Sequence, residues 1–175
     1  MNWIVKFAGI GIVVFSTSAY GILLCREIRD RLTELKELKK IMFLLRGEIG
    51  FGRTPILEAA DNISKRCNTI FQKAMKMLSE NSGEIMEAPI EDIWKKTLEK
   101  VLPESHLSKF EKERLLQVGE CLGLSDVSTQ INAIDVYMDE LVTSINELER
   151  SMPAKIKLYK SLGIMCGIVI SIIIV

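Results

Sequence analysis

One histidine, four cysteines and several adjacent carboxylate pairs are the residues of this sequence whose types admit catalysis or metal binding. His106 lies between Ser105 and Leu107, just after Pro103, without the helix face and acidic neighbour that a phospho-accepting histidine prefers. It reads as a solvated loop histidine. A lone histidine also leaves no histidine-built metal site or His-centred triad within one chain. Cys25, Cys67, Cys121 and Cys166 are single and widely spaced, with no C-x-x-C pair. That is the pattern of free thiols in a reducing compartment, and not of a zinc site. Glu91-Asp92 and Asp139-Glu140 are adjacent on predicted helices, so they splay apart, which suits solvated faces better than acid–base work. Gly50-Phe51-Gly52 lacks the strand and the later glycine of a dinucleotide loop, and no G-x-x-x-x-G-K-[ST] run occurs. Met138 and Met152 read as core fillers, not ligands. The expectation is a protein that is not an enzyme and holds no cofactor or metal.

The elements that carry these residues follow from composition. The 175 residues include 23 basic and 23 acidic side chains, so the net charge is zero and no basic face for nucleic acid is expected. Forty-eight per cent of the residues are hydrophobic, only 6 per cent are aromatic and four are proline, which favours an all-α protein with one core. A mean hydropathy of +0.21 beside 26 per cent charged residues requires the apolar residues to be unevenly placed. They gather at the ends: Lys6 is the one charge from Trp3 to Leu24, and none occurs from Ser161 to Val175.

The first run predicts a transmembrane helix over residues 3–24, since about 22 helical residues span roughly 33 Å. A cleaved signal peptide, with Thr17 and Ala19 before the cut, is the rival reading, disfavoured by the long apolar run and the charged Arg26-Glu27-Ile28-Arg29. Residues 161–175 predict a shorter hydrophobic membrane segment that crosses a thinned bilayer or lodges in one leaflet. Lysines and arginines follow the first run and precede the second, which places residues 26–160 in the cytosol by the positive-inside rule.

Within that middle, Ile28, Leu32, Leu35, Leu38, Met42, Leu45 and Ile49 form one stripe on a long helix. Gly50-Phe51-Gly52-Arg53 is expected to end it in a tight turn, Gly52 supplying a positive φ, with Thr54 as N-cap and Pro55 at the first helical position. Shorter helices are predicted from Ile56, from Thr69 with Gln72 as a capping box, and from Pro89 to Pro103. Ser108 with Glu111 reads as a further capping box, and Gly123 as a C-cap glycine. Val127, Ile131, Ile134, Met138, Leu141, Ile145, Leu148 and Met152 then recur at heptad spacing, started by Asp126 or Ser125 and kinked or broken at Pro153. Packing this seam against the first gives a membrane-anchored cytosolic helical bundle built on a long antiparallel helical hairpin. Two other classes are open: a dimeric coiled-coil signalling or transducer module, whose stripe would lie at a symmetric interface, and a secreted helical protein.

Three segments in order resemble one family: Glu48-Ile49-Gly50-Phe51-Gly52-Arg53-Thr54-Pro55-Ile56, Gly119-Glu120-Cys121-Leu122-Gly123-Leu124-Ser125-Asp126, and Lys160-Ser161-Leu162-Gly163. Together with the length and both apolar ends, they are similar to the stage III sporulation protein AB family. Phe51 stands where tyrosine is common, and Ile56 where leucine is. The resemblance implies a platform or adaptor subunit of the transenvelope complex between mother cell and forespore, in the mother-cell membrane, with a cytosolic fold similar to the F-type platform proteins of type II secretion. It also implies a cytosolic ATPase partner, similar to stage III sporulation protein AA, and other membrane proteins of the same complex. Glu48 and Arg53 are charges that folding does not explain. With Glu120 and Asp126 they are the candidate partner-binding residues, about 24 helical residues beyond Arg26 and so roughly 36 Å above a membrane surface. Gly52, Thr54, Pro55 and Gly123 are the candidate structural turn residues.

Overall fold

Apolar stripes at spacings of three and four call for helices that bury one face, and the chain folds as helices without strands among the described residues, so helices bury one another. The computed structural model describes residues 2–52, 55–80, 89–123 and 126–174. Helix α1 is Asn2–Gly47, α2 Ile56–Ser64, α3 Ile70–Glu80, α4 Ile90–Val101, α5 Lys109–Leu122 and α6 Val127–Ile174. Two compact units result, Met1–Asp30 with Glu147–Val175, and Arg31–Asn146.

In the unit Arg31–Asn146, the expected stripe of α1 is the core: Leu32, Leu35, Leu38, Met42, Leu45 and Ile49 are all buried. On α6, Ile134, Leu141 and Ile145 of the predicted seam are also buried. Antiparallel pairing shows in the ion pair of Arg46 Nε with Asp135 Oδ1 at 2.6 Å and in Gly50 lying against Ile131. Trp94 of α4 donates its indole N–H to the Leu115 carbonyl at 3.0 Å and fills the space above Gly119, where a Cβ would lie 2.4 Å from Trp94 Cδ1. Gly119 is therefore required by close approach of a ring, not by backbone conformation.

A second face of α1 carries charge at every third residue, and each charge fastens a connection. Arg31 donates to both oxygens of Glu111 at 2.8 and 3.0 Å. Glu34 accepts the His106 backbone N–H at 2.9 Å and lies 2.8 Å from His106 Nδ1. Glu37 accepts the Asn68 N–H at 2.7 Å, and Lys40 donates to the Arg66 carbonyl. Glu34 and Glu37 are buried, so these bonds offset the desolvation of two carboxyl groups. His106 is thus latched to α1, where the sequence suggests a solvated loop histidine.

In the unit Met1–Asp30 with Glu147–Val175, small residues let the two helices touch. A Cβ on Gly21 would lie 2.8 Å from the Tyr159 carbonyl oxygen, and one on Gly163 would lie 2.9 Å from that of Thr17. Cys25 Sγ donates to the Ile156 carbonyl at 3.8 Å. Beside these contacts lies an apolar cavity of about 460 Å³ bordered by Tyr20, Leu24, Leu162 and Cys166. Outward, Phe15 is 77 per cent exposed and Ile172 is 72 per cent exposed. Among the described residues no helix is long and apolar enough to cross a membrane. Part of the expected spans over 3–24 and 161–175 falls on residues whose side chains lie outside the described set, including 3–8, 10 and 13.

Several local expectations change. The glycines after Ile49 do not end α1 in a tight turn; the helix widens into a π-helical turn, Glu48–Gly52, and Gly50 brings that turn against Ile131. Thr54 lies outside the described residues. Pro55 is the N-cap of α2 and not its first helical residue, its carbonyl accepting the Ala59 N–H at 2.9 Å. Thr69 Oγ1 accepts from Phe71 N–H at 3.3 Å, a shorter-range bond than the expected box with Gln72. Gly123 holds the C-cap with a right-handed φ of −77°, so it serves close approach to Ile90 and not a left-handed turn. Pro153 neither breaks nor ends α6, which runs on to Ile174. The capping box of Ser108 and Glu111 forms as expected.

Gly119→Val forces a side chain into the Trp94 ring and is expected to cost about 2–3 kcal/mol, read as a lower thermal midpoint of the full chain. Gly47→Ala is the contrast, because nothing lies within 4 Å of a Cβ there. It is expected to be neutral or to stabilise by about 0.5–1 kcal/mol.

Candidate functional site

The residues singled out by sequence gather at one end of the unit Arg31–Asn146. The turn Glu48–Gly52 meets α6 where Gly50 faces Ile131, five residues past Asp126. The end of α5 joins the start of α6 through Gln130, whose side-chain amide donates to the Leu122 carbonyl at 2.9 Å. Gly123 in turn sits against Ile90 at the start of α4. Glu48 is half-buried and engaged by a partner, while Glu120 is exposed on α5. Arg53 lies outside the described residues.

Asp126 has a structural task. Its Oδ2 accepts the Thr129 N–H at 3.0 Å and the Thr129 and Ser128 hydroxyls at 2.6 and 2.7 Å, closing the N-terminus of α6. The hydroxyls of Thr129 and Ser128 and the two backbone N–H groups pull its carboxyl from 3.8 down to about 2. Asp126 is thus the residue that starts α6, one of the two that the sequence offers for that place.

Sequence reasoning passed over Phe51 as part of a turn. It is 91 per cent exposed, on a turn whose flanking glycines offer it no side-chain neighbour along the chain. An aromatic between two glycines, off every apolar stripe, was the available signal. Behind this end, α5 and α6 enclose a groove of about 190 Å³ lined by Val118, Cys121, Ala133, Val136 and Tyr137, with Arg114 and Gln117 at its edge. Arg114 is fixed there by Glu140, its Nε donating to Oε2 at 2.8 Å.

Three groups of the unit are shifted by burial and by their neighbours. Burial pushes the Glu111 carboxyl up, yet Arg31 and the Ser108 bonds together pull harder, so it stays below its ordinary value. Burial, then the Glu37 carboxyl, push the Cys67 thiol up to about 11, against the pull of Lys40, which keeps it protonated and unreactive. Burial, then Glu111 and Glu140, hold the Tyr137 phenol neutral, and its hydroxyl has no partner. Among the described residues no three His, Cys, Asp or Glu side chains converge as a metal site would need.

A depressed carboxyl stabilises the fold above its unfolded pKa and loses that contribution as pH falls through the folded one. For Asp126 the window runs from 3.8 down to about 2. Asp126→Asn is expected to lower the midpoint of thermal unfolding at pH 6, with the difference from the parent shrinking below pH 3.8 and vanishing near about pH 2. Melting curves across that range check it.

Comparison with known proteins agrees with this architecture. The family described as stage III sporulation protein AB matches residues 6–175. Stage III sporulation protein AB of Bacillus subtilis (strain 168) is 28 per cent identical over 169 residues, covering 94 per cent of this chain and 96 per cent of that protein. A solved structure of stage III sporulation protein AB aligns with a TM-score of 0.65 at 26 per cent identity, over 71 per cent of this chain and 97 per cent of that one. A family match that spans nearly the whole chain, with the same helical fold, places this protein in the stage III sporulation protein AB family.

Proposed function

We propose that the chain is a non-enzymatic platform of a sporulation transenvelope complex, lodged in the mother-cell membrane by its two apolar ends. Its charged bundle then presents a docking surface to a cytosolic ATPase similar to stage III sporulation protein AA, and so couples that ATPase to other membrane proteins of the complex. The observation that carries this reading is the division of the molecule's surface. One unit turns apolar side chains such as Phe15, Ile12 and Ile172 outward, which favours lipid over water, while the other covers its core with charges. An adaptor also needs no reacting group, and several charges of the bundle are engaged in caps and ion pairs.

The dimeric coiled-coil transducer is the weaker reading. Its recognition seam would have to be free, and Ile134, Leu141 and Ile145 of that seam are buried inside the single chain.

The docking surface assigned to the ATPase is the end formed by the turn Glu48–Gly52 and the last turn of α5. Phe51 supplies an aromatic anchor, with Glu48 of the same turn and Glu120 of α5 as polar groups of that end; exposed aromatics ringed by polar groups are the usual centres of binding energy. Phe51→Ala combined with Glu120→Lys is expected to weaken binding of the purified ATPase to the detergent-solubilised full chain at least tenfold, with helicity and melting unchanged. Affinity within twofold of the parent places the docking surface elsewhere.

A further inference from the structure

Two features of the unit Arg31–Asn146 are left unused by that reading, and they complement each other. The first is on the outer face of α1. Phe43 is 64 per cent exposed, one turn before Gly47, around which a Cβ would meet nothing within 4 Å. Glycine near the end of a helix weakens it without an internal packing reason here, and it leaves a flat place beside the ring where another helix can approach. Lys36 and Lys39 stand exposed on the preceding two turns, so the ring projects from a basic surface.

The second feature is the α5–α6 groove. Its walls are apolar, from Val118, Cys121, Ala133 and Val136, and Val136 is half exposed at its mouth. A volume of about 190 Å³ is sufficient for a phenyl ring, since an apolar cavity of about 150 Å³ holds benzene. The surface bordering the groove is acidic: Glu113 and Glu120 are exposed on α5 and Asp139 on α6, Glu113 having Lys109 3.8 Å away. A basic ring-bearing face and an acidic ring-sized groove on one chain are the two halves of a contact between copies.

We propose that Phe43 of one copy seats in the α5–α6 groove of a second copy, with Lys36 and Lys39 facing Glu113, Glu120 and Asp139. The groove shares Glu120 and the last turn of α5 with the end assigned to the ATPase, so a partner bound there and self-association compete for that edge. The contact buries an aromatic that is otherwise in water, and its charge pairs fix which way round the copies meet.

Cys121, which lines the groove, makes the test direct. In the full chain in detergent, with Cys25 and Cys67 replaced by alanine and Cys166 by serine, Phe43→Cys is oxidised under mild conditions. A disulfide-linked dimer is expected at no less than ten times the yield from Lys100→Cys, and it disappears with Cys121→Ser. A yield equal to that of Lys100→Cys, or a link to Cys121 from Phe51→Cys and not from Phe43→Cys, overturns the proposal. Sedimentation of the chain with its native cysteines supplies a reading that no fold defect can mimic. The parent is expected to show a concentration-dependent dimer that Phe43→Ala weakens at least fivefold. A parent that sediments as a monomer at every attainable concentration overturns the proposal as well.

Discussion

The unit Arg31–Asn146 depends on the row of charges along α1 at Arg31, Glu34, Glu37 and Lys40. Apolar burial holds the helices together, but it is non-directional and leaves their sliding and rotation weakly determined. The row adds direction. Each member reaches a different connection: Glu37 and Lys40 hold the link between α2 and α3, Glu34 holds the stretch after Pro103, and Arg31 holds the start of α5. Arg31 acts on a residue already engaged, because Glu111 also closes the capping box of α5 by accepting the Ser108 N–H at 2.7 Å. Losing Arg31 would strand the buried Glu111 carboxylate as well as remove two bonds.

Much of the fold was legible in the sequence, and the reason is periodicity. The stripes Leu32 to Ile49 and Ile134 to Leu148 have no reading other than two helices burying one side each, and their burial follows. Ser108 with Glu111 is a local signal, complete within four residues. What stayed illegible is long-range or depends on small geometric margins. Glu34 and Glu37 look like ordinary surface charges on a helix, because the N–H groups that make their burial tolerable lie 72 and 31 residues away. Tyr137 falls one residue from the heptad position of Met138, yet it is the more buried of the two. The π-helical turn differs from a tight glycine turn by how Gly50 meets Ile131, a contact 81 residues apart in sequence that no local pattern encodes.

The candidate site divides along the same line. Its place at one end of the bundle follows from the order of helices, but the role of each charge does not. Asp126, read both as a start of α6 and as a docking charge, is bonded as the cap; Phe51 looked like turn filler and is the most exposed large hydrophobic residue described. The two cases invert a common habit of reading charges as contacts and aromatics as core. In a bundle with several polar side chains taken up in holding connections, uncovered aromatics are the informative surface.

Where Gly21 meets Tyr159 and Gly163 meets Thr17, helix backbones come together with no side chain between them. Attraction at such short range is dispersion and weak C–H···O contact, which does not require water to be expelled from between greasy surfaces. The pairing of the chain's two ends is therefore indifferent to solvent, persisting among acyl chains as well as in an aqueous setting. Order of assembly is freed by that indifference. If the ends enter lipid as proposed, the helices can insert separately and find each other afterwards.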